Sequence, residues 1–346
     1  MSKKLQILVV DDSAFMRLLI SDLVSEDPDI EVVGTANDGL EAVNKVMALS
    51  PDVVILDLNM GDYDGLFAVK EIMQKKPTPI LILSSVGNTD LQPVFEALKN
   101  GAVDYMNKPN KNKAKMREIS IELVQKVKSA SRAKPKPVAE TKPALPKPVA
   151  NTGRKRKSKY KLIAIGASTG GPTALERVIT MLPHDFDIPI VICQHMPQTF
   201  IPPFVHRLNS LTGLNVVAGT KGMTPSPGTI IICPGHSNLI LKRDGGNVVV
   251  DFTEKVFKEY NNPSINAMML SVAEVFSDKA VGVILTGMGK DGLEGMKAIH
   301  GERGFTIAQN KASSVIYGMP KAVVEAGVVK ESLDIKEIGS FLAKEI

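Results

Sequence analysis

Strand-like and helix-like hydrophobic patterns alternate through the first 130 residues. Short, nearly continuous apolar runs are typical of strands buried on both faces, and spacing of three or four is typical of amphipathic helices. The predicted strands are 5–10, 30–36, 52–58, 79–85 and 103–109, and the predicted helices are 14–25, 39–50, 66–74, 91–100 and 113–130. Five such units predict a doubly wound α/β domain with a parallel, flavodoxin-like sheet.

The same alternation returns in the second half, with one interruption. The predicted strands are KLIAIG, IPIVIC, LNVVAG, GTIIIC and AVGVILTG, and helical patterns cover 173–181 and 264–277. The segment NLILKRDGGNVVVDF instead has two β-like runs around Asp-Gly-Gly-Asn, which is a hairpin signal. We therefore expect a second doubly wound α/β domain with an inserted hairpin.

A proline-rich and lysine-rich stretch separates the two halves. SRAKPKPVAETKPALPKPVANTGRKRKSK has five prolines and no aromatic residue, and residues 128–161 hold twelve lysines and arginines against one acid, Glu140. Such a chain buries too little apolar surface to fold and stays extended. We predict domains at 1–126 and 159–346, joined by a flexible basic linker at 127–158.

Composition and charge exclude several classes of protein. No apolar stretch approaches the ~20 residues of a membrane span, and the first apolar run meets two aspartates, unlike a secretory signal. We expect a cytoplasmic protein with no inserted segment. Cys193 and Cys233 each end an apolar run and predict buried strand residues rather than a disulfide or zinc site. The basic run at 154–157 lacks accompanying aromatic residues or a recognition helix, so no nucleic-acid partner is predicted.

Acidic and phosphate-binding residue types follow the strands of the first half. Asp11 and Asp12 end the first strand, Asp57 the third and Ser84 the fourth, and Lys108 follows the fifth. Ligands bind at the carboxyl ends of such strands. Converging carboxylates favour Mg²⁺, a lysine and a hydroxyl can hold phosphate oxygens, and an aspartate can accept a phosphoryl group. Separately, these acids could be helix caps or turn residues; their combination favours chemistry.

The first ~126 residues resemble the response-regulator receiver domain, on VVDDS, LDLNM followed by DG, Ser84 and the pair Lys108-Pro109. The resemblance implies that a histidine kinase phosphorylates Asp57. It also implies a Mg²⁺ site made by Asp12, Asp57 and the backbone carbonyl of Asn59, with Asp11 assisting.

Two further features of this resemblance concern conformation. Ser84 and Tyr105 match the switch positions of the family. Gly61 departs from the family, which usually has proline there, and this predicts a more flexible loop after Asp57 without loss of a phosphate ligand.

The second half carries a serine between glycines. Gly166-Ala-Ser168-Thr-Gly170 fits G-x-S-x-G, in which small neighbours let a nucleophile occupy a sharp strand-to-helix turn whose amides face a developing oxyanion. Pro172 suits the first turn of the helix. A phosphate-cradling loop is the alternative, because glycine-rich turns at a helix start also bind anions.

A serine nucleophile needs a base and a group that orients the base. His195 and Asp291 each follow a predicted strand, as Ser168 does, so all three are expected at one edge of the sheet. His236, in CPGHSNL, also follows a strand and is the competing histidine. The order Ser…His…Asp differs from that of α/β-hydrolases and predicts a different fold.

Residues 160–346 resemble the CheB family of chemotaxis methylesterases, on GASTGGP, QHMP, LTGMGKDG and GFTIAQNKASSVIYGMP. The resemblance implies that Ser168 is the nucleophile, His195 the general base and Asp291 the orienting acid. It also implies that the Met288 backbone N–H helps to bind the oxyanion, with support from Thr169.

The CheB resemblance also predicts substrates, partners and regulation. It implies hydrolysis of glutamate methyl esters on chemoreceptors without a cofactor, and deamidation of receptor glutamines, for sensory adaptation. The implied phosphodonor is the chemotaxis kinase CheA, and the unmodified receiver is expected to cover the esterase site. One departure is CPGHSNL, which looks shortened and predicts an altered rim around the site.

Overall fold

The computed structural model describes residues 3–84, 91–109, 116–135, 158–257 and 263–346. The chain divides into two compact units, Met1–Lys142 and Pro143–Ile346. Most of the predicted linker, including the basic run at 154–157, lies outside the described residues. Within the described ranges, no helix is both long enough and apolar enough to cross a membrane.

The first unit is the predicted α/β domain. Its five strands are all parallel, in the order β2-β1-β3-β4-β5. The strands are β1 (Leu5–Val10), β2 (Ile30–Ala36), β3 (Val53–Asp57), β4 (Ile80–Ser84) and β5 (Asp104–Asn107). The helices are α1 (Ala14–Ser25), α2 (Gly39–Leu49), α3 (Gly65–Lys75), α4 (Gln92–Lys99) and α5 (Met116–Ala130). The prediction of fold class is confirmed for this unit.

Local chemistry explains where the helices of this unit begin. Ser13, Asp38 and Asp64 precede α1, α2 and α3, and each side chain accepts a hydrogen bond from a backbone amide in the first turn. These caps satisfy amides that have no partner within the helix. Each of these helices starts after the carboxyl end of a strand, the edge of the sheet at which the phosphate site is predicted.

The last helix of the first unit extends past the domain boundary predicted at residue 126. Val127 and Ala130 are fully buried in α5, and Ala133 is buried just after it. Apolar residues at helical spacing continue through this segment, although the lysines around them resemble those of the linker. The folded part of the first unit therefore reaches beyond the predicted boundary.

The second unit is built on seven parallel strands in the order β14-β13-β12-β6-β7-β9-β8. These are β6 (Leu162–Ala167), β7 (Ile190–Gln194), β8 (Asn215–Ala218), β9 (Thr229–Ile232), β12 (Ala280–Ile284), β13 (Phe305–Gln309) and β14 (Glu331–Leu333). β10 (Asn238–Asp244) and β11 (Asn247–Thr253) form the predicted hairpin as a separate antiparallel sheet.

Six helices of the second unit connect and cover these strands within the described ranges. They are α6 (Gly171–Thr180), α7 (Ile201–Asn209), α8 (Ile265–Phe276), α9 (Leu293–Gly301), α10 (Met319–Glu325) and α11 (Ile335–Glu345). α8 packs against α9 and the hairpin, and α6 packs against α11. The strand order reverses at β6, between β7 and β12, and such a reversal opens a crevice at the carboxyl ends of the strands.

Two strands of this sheet did not emerge from the hydrophobic pattern. β13 includes the polar residues Thr306 and Gln309 among its five, and β14 has only three residues, two of them exposed, at the edge of the sheet. A polar edge strand has no continuous apolar run because one side faces solvent. The five predicted strands and the hairpin are all present.

Candidate functional site

Ser168 lies in the turn between β6 and α6, in the crevice where the strand order reverses. Its backbone N–H donates to the Thr286 carbonyl at 3.0 Å, and its own carbonyl accepts from Gly171 N–H at 2.7 Å. Gly170, between them, has a φ of 76°, a left-handed conformation that favours glycine. The chain thus turns sharply around Ser168, as the G-x-S-x-G pattern predicts, and leaves the side chain partly exposed.

The three predicted triad residues form one chain of hydrogen bonds. His195 Nδ1 lies 3.1 Å from Ser168 Oγ, and His195 Nε2 lies 2.8 Å from Asp291 Oδ2. Because the carboxylate can only accept, the proton of the neutral imidazole belongs on Nε2. The lone pair on Nδ1 therefore faces the serine hydroxyl, which is the arrangement that a general base needs.

Asp291 is buried at the N-terminus of α8, where backbone amides hold its carboxylate. It accepts from Ile265 N–H at 2.8 Å and from the N–H groups of Asn266 and Gly292 at 2.9 Å, and Ser264 Oγ lies 3.3 Å away. Burial alone would raise the pKa of Asp291, but the bonds from His195 and these amides outweigh it and lower the pKa below 3.8. The carboxylate therefore stays ionised beside His195.

The predicted oxyanion residues lie on two segments that meet at Ser168. Thr169 is buried in the nucleophile turn, and Met288 is half-buried just after Gly287. A Cβ on Gly287 would lie 2.8 Å from Ser168 Cβ, so only glycine allows this approach. Since the Ser168 amide is already bonded to Thr286, an oxyanion would need donors from its neighbours, as predicted for Met288.

The competing histidine occupies a different position. His236 is exposed, and its turn packs against the segment after His195, because a Cβ on Gly235 would lie 2.5 Å from the Met196 carbonyl. The histidine nitrogen that accepts from the Ser168 hydroxyl is Nδ1 of His195. The CPGHSNL turn therefore packs against the residues that follow His195, and its expected effect on the rim of the site stays a prediction.

The predicted site of the first unit forms at the carboxyl ends of β1, β3 and β5. Lys108 Nζ lies 2.7 Å from Asp11 Oδ2 and 2.7 Å from Asp57 Oδ2. Asp11 and Asp57 are buried, whereas Asp12 is exposed. Ser84 is buried at the end of β4, and its carbonyl accepts from Lys108 N–H at 2.9 Å. Five of the predicted residues thus come together.

Burial and neighbouring charges shift the pKa values of Asp57 and Lys108. Burial raises the pKa of Asp57, and the charge of Asp11 adds to the rise, while Lys108 opposes it. Burial acts to lower the pKa of Lys108, but the two aspartates reverse this and raise it. The lysine is therefore a permanent positive charge beside two carboxylates.

The residues present fit a Mg²⁺ ion. One oxygen from each of Asp11, Asp12 and Asp57 lies within 4.8 Å of the others. Three carboxylates face one lysine, so the cluster keeps negative charge that a hard cation with oxygen ligands would neutralise. Asn59, whose carbonyl is the remaining predicted ligand, is exposed in the loop after β3.

The other predicted positions of the first unit are more peripheral. Tyr105 is buried in β5, and burial raises the pKa of its hydroxyl well above 10.0. Gly61 has a φ of 46°, which proline, restricted to about −65°, cannot adopt. The departure at Gly61 therefore gives the loop after Asp57 a left-handed residue that proline would forbid.

Comparison with known proteins gives both units a family. A sequence profile described as CheB methylesterase matches residues 163–342, and one described as response regulator receiver domain matches residues 7–120. The chain is 39% identical to protein-glutamate methylesterase/protein-glutamine glutaminase 1 of Geobacter sulfurreducens, over 99% of this chain and 98% of that protein. The chain belongs to the CheB methylesterase family.

Relatives from Thermotoga maritima support the same assignment. The protein-glutamate methylesterase/protein-glutamine glutaminase of that organism is 40% identical over 93% of each chain. The crystal structure of the T. maritima CheB methylesterase catalytic domain is 36% identical, with a TM-score of 0.53, and covers 54% of this chain and 99% of that domain. The fold of the second unit is therefore that of a CheB catalytic domain.

Sequence reasoning missed residues that hold the triad in place. Gln194 Nε2 donates to the carbonyls of both Ser168 and His195 at 3.0 Å, and Ser264 and Asn266 contact Asp291 as described. Gln194 belongs to QHMP, where its placement one residue before the histidine was a usable signal. The sequence carried no signal for Ser264 and Asn266, because their role depends on the tertiary contact between the first turn of α8 and Asp291.

Proposed function

We propose that the second unit is a serine hydrolase that removes methyl groups from glutamate methyl esters of chemoreceptors and deamidates receptor glutamines. The hydrogen-bond chain from Ser168 through His195 to Asp291 carries this proposal. The family assignment supports the substrate, because relatives over the full chain are named protein-glutamate methylesterase/protein-glutamine glutaminase. In this proposal Ser168 is the nucleophile, His195 the general base and Asp291 the orienting acid.

The first half-reaction transfers the glutamyl group to the enzyme. His195 Nδ1 takes the proton of Ser168 as Oγ attacks the ester carbonyl, and the bond to the methoxy oxygen breaks. The same histidine returns the proton to the leaving group, which departs as methanol, or as ammonia from glutamine. Asp291 holds the imidazole in the required tautomer and stabilises its positive charge.

The second half-reaction restores the serine. His195 removes a proton from water, and the hydroxide attacks the acyl-enzyme. The ester bond to Ser168 then breaks, His195 returns the proton to Ser168 Oγ, and free glutamate is released. Both steps pass through a tetrahedral oxyanion. The Met288 amide, supported by Thr169, is the proposed donor, and such preorganised donors contribute about a hundredfold to a thousandfold in rate.

The first unit is proposed to control this reaction. A histidine kinase, in chemotaxis CheA, transfers a phosphoryl group to Asp57, with Lys108 and Ser84 contacting phosphate oxygens. Asp11, Asp12, Asp57 and the Asn59 carbonyl would hold Mg²⁺, which neutralises charge on the transferring phosphoryl group. Phosphorylation then relieves inhibition of the esterase by the receiver, with Ser84 and Tyr105 as switch residues.

The test of the esterase proposal is methanol release from methylated receptor by Ser168→Ala. We expect release to fall by several orders of magnitude, since loss of a triad nucleophile removes the covalent route. Ser210→Ala is the matched control, because Ser210 is exposed and its hydroxyl donates to the carbonyl of Arg207, outside the triad. Undiminished release by Ser168→Ala would contradict the proposed nucleophile.

A further inference from the structure

Thr286 lies in the crevice between the nucleophile turn and the segment that carries Met288. It follows β12 and is completely buried. Its backbone carbonyl accepts from Ser168 N–H at 3.0 Å, and its backbone N–H donates to Gln309 Oε1 at 2.7 Å. Both bonds are made by the main chain of Thr286 and do not require its side chain.

The hydroxyl of Thr286 makes a separate set of contacts. Its Oγ1 accepts from Ile316 N–H at 2.9 Å and lies 3.0 Å from the Thr169 carbonyl and 3.2 Å from the Ile316 carbonyl. A hydroxyl has only one proton to donate. Of the two carbonyls within reach, that of Thr169 is the nearer, at 3.0 Å against 3.2 Å for Ile316. The hydroxyl therefore joins the nucleophile turn to the loop at Ile316.

That loop in turn fixes the peptide that precedes Met288. Gly287 donates to the Ile316 carbonyl, and the Gly287 carbonyl accepts from Gly318 N–H at 3.1 Å and Met319 N–H at 2.8 Å. Gly287 is thus bonded through both its N–H and its carbonyl to the stretch 316–319. Any shift of this stretch would move Met288 relative to Ser168.

We propose that Thr286 is a positioning residue whose buried hydroxyl sets the spacing between Ser168 and the Met288 amide. It touches neither substrate nor the reacting atoms. Its effect belongs to the transition state, because misplacement of an oxyanion donor by a fraction of an ångström weakens binding of the developing charge. The inference deepens the proposed esterase function and rests on it.

Two substitutions separate the hydroxyl from the rest of the side chain. Thr286→Val keeps the shape and removes the hydroxyl, whereas Thr286→Ser keeps the hydroxyl and removes the methyl group. Thr306→Val is the control, since Thr306 is also fully buried and its hydroxyl accepts from Lys330 N–H at 3.2 Å on β13. All three variants lose buried contacts and are expected to have a lower Tm.

The full-length variants are compared by kcat and KM for methanol release and by the rate at which a fluorophosphonate labels Ser168. We expect kcat and labelling of Thr286→Val to fall about tenfold to a hundredfold with KM unchanged. Thr286→Ser and Thr306→Val should stay near wild type. Wild-type rates in Thr286→Val, or losses that follow Tm in all three variants, would overturn the inference.

The labelling reaction separates this inference from the esterase proposal, because it requires no receptor. If the wild-type chain labels at Ser168 but releases no methanol even with a phosphodonor and Mg²⁺ present, the proposed substrate is wrong. The labelling rates then decide the role of Thr286 alone: slow labelling confined to Thr286→Val supports it, and equal labelling of all variants refutes it.

Discussion

Gly171 starts α6 directly behind the nucleophile, where space is limited. A Cβ at this position would lie 2.0 Å from Gln194 Oε1 and 2.9 Å from Ala167 Cβ. Gly171→Ala would displace the Gln194 amide from the carbonyls of Ser168 and His195. We expect a loss of about 1–3 kcal/mol in stability and a lower kcat, measured by urea unfolding and methanol release.

Gly301→Ala is the matched control for this prediction. Nothing lies within 4 Å of a Cβ at Gly301, at the end of α9. Alanine is more favourable than glycine in a helix, so the control should be neutral or slightly more stable. If Gly171→Ala behaves like the control, the packing of Gln194 described above is incorrect.

Asp291→Asn tests the electrostatic role of the buried carboxylate. Asparagine keeps the size but not the charge, so His195 loses the group that sets its tautomer, and kcat should fall about a thousandfold to ten-thousandfold. The pKa of Asp291 is lower in the folded chain than the 3.8 of the unfolded chain, so its ionisation stabilises the fold at pH values above 3.8. This stabilisation is lost as the pH falls through the pKa of the folded chain.

Urea unfolding of wild type and Asp291→Asn across pH measures that second effect. The stability difference should stay constant above about pH 5 and shrink as the pH falls below it. If the difference in free energy of unfolding between wild type and Asp291→Asn is unchanged at the lowest pH, ionisation of Asp291 does not stabilise the fold.

At the residue scale, the candidate catalytic residues were easier to predict from the sequence than the residues that hold them in position. Ser168, His195 and Asp291 could be predicted because each follows an apolar strand, and parallel strands bring their carboxyl ends to one edge. Thr286 could not, because a buried threonine after a strand is common, and its role depends on Ile316, thirty positions away in the chain. Contacts of that kind are set by tertiary structure.

At the scale of elements, α8 connects stability to the active site through its first turn. Ser264 caps α8, accepts from Ala267 N–H at 3.2 Å and contacts Asp291. Ser264→Ala should cost about 1 kcal/mol in stability. Because three amides still hold Asp291, methanol release should fall by less than about tenfold, the worth of one hydrogen bond.

Asp38→Ala provides the comparison, because Asp38 caps α2 in the first unit and accepts from Glu41 N–H at 2.7 Å. It should lower stability similarly and leave methanol release without a phosphodonor unchanged. Equal effects of the two variants on release would mean that Ser264 acts only as a helix cap.

The elements themselves were predictable to the extent that they are apolar. β1 spans Leu5–Val10 and α1 spans Ala14–Ser25, as predicted, because buried runs and a serine cap mark their ends. β14 carries no such mark, since its residues lie at the sheet edge and are largely exposed. The helix predicted at 113–130 ends at the same residue as α5, Ala130, but the domain boundary predicted at 126 falls inside this helix, just before the buried Val127.

At the scale of the whole molecule, two chemistries occupy separate units of one chain. Asp57 lies in a buried acidic cluster with Lys108, and Ser168 lies in the triad of the second unit. The geometry of each site does not by itself connect its chemistry to that of the other site. We propose that phosphorylation of Asp57, which changes the charge at that site by about two, couples the two units.

The most direct test of this connection is the initial rate of methanol release from methylated receptor by the full-length chain, with and without a small phosphodonor and Mg²⁺. We expect the donor to raise the rate of the wild-type chain, to leave the rate of Asp57→Asn unchanged, and to elicit no methanol release from Ser168→Ala. A wild-type rate that is the same with and without the donor, or an equal increase in Asp57→Asn, would contradict it.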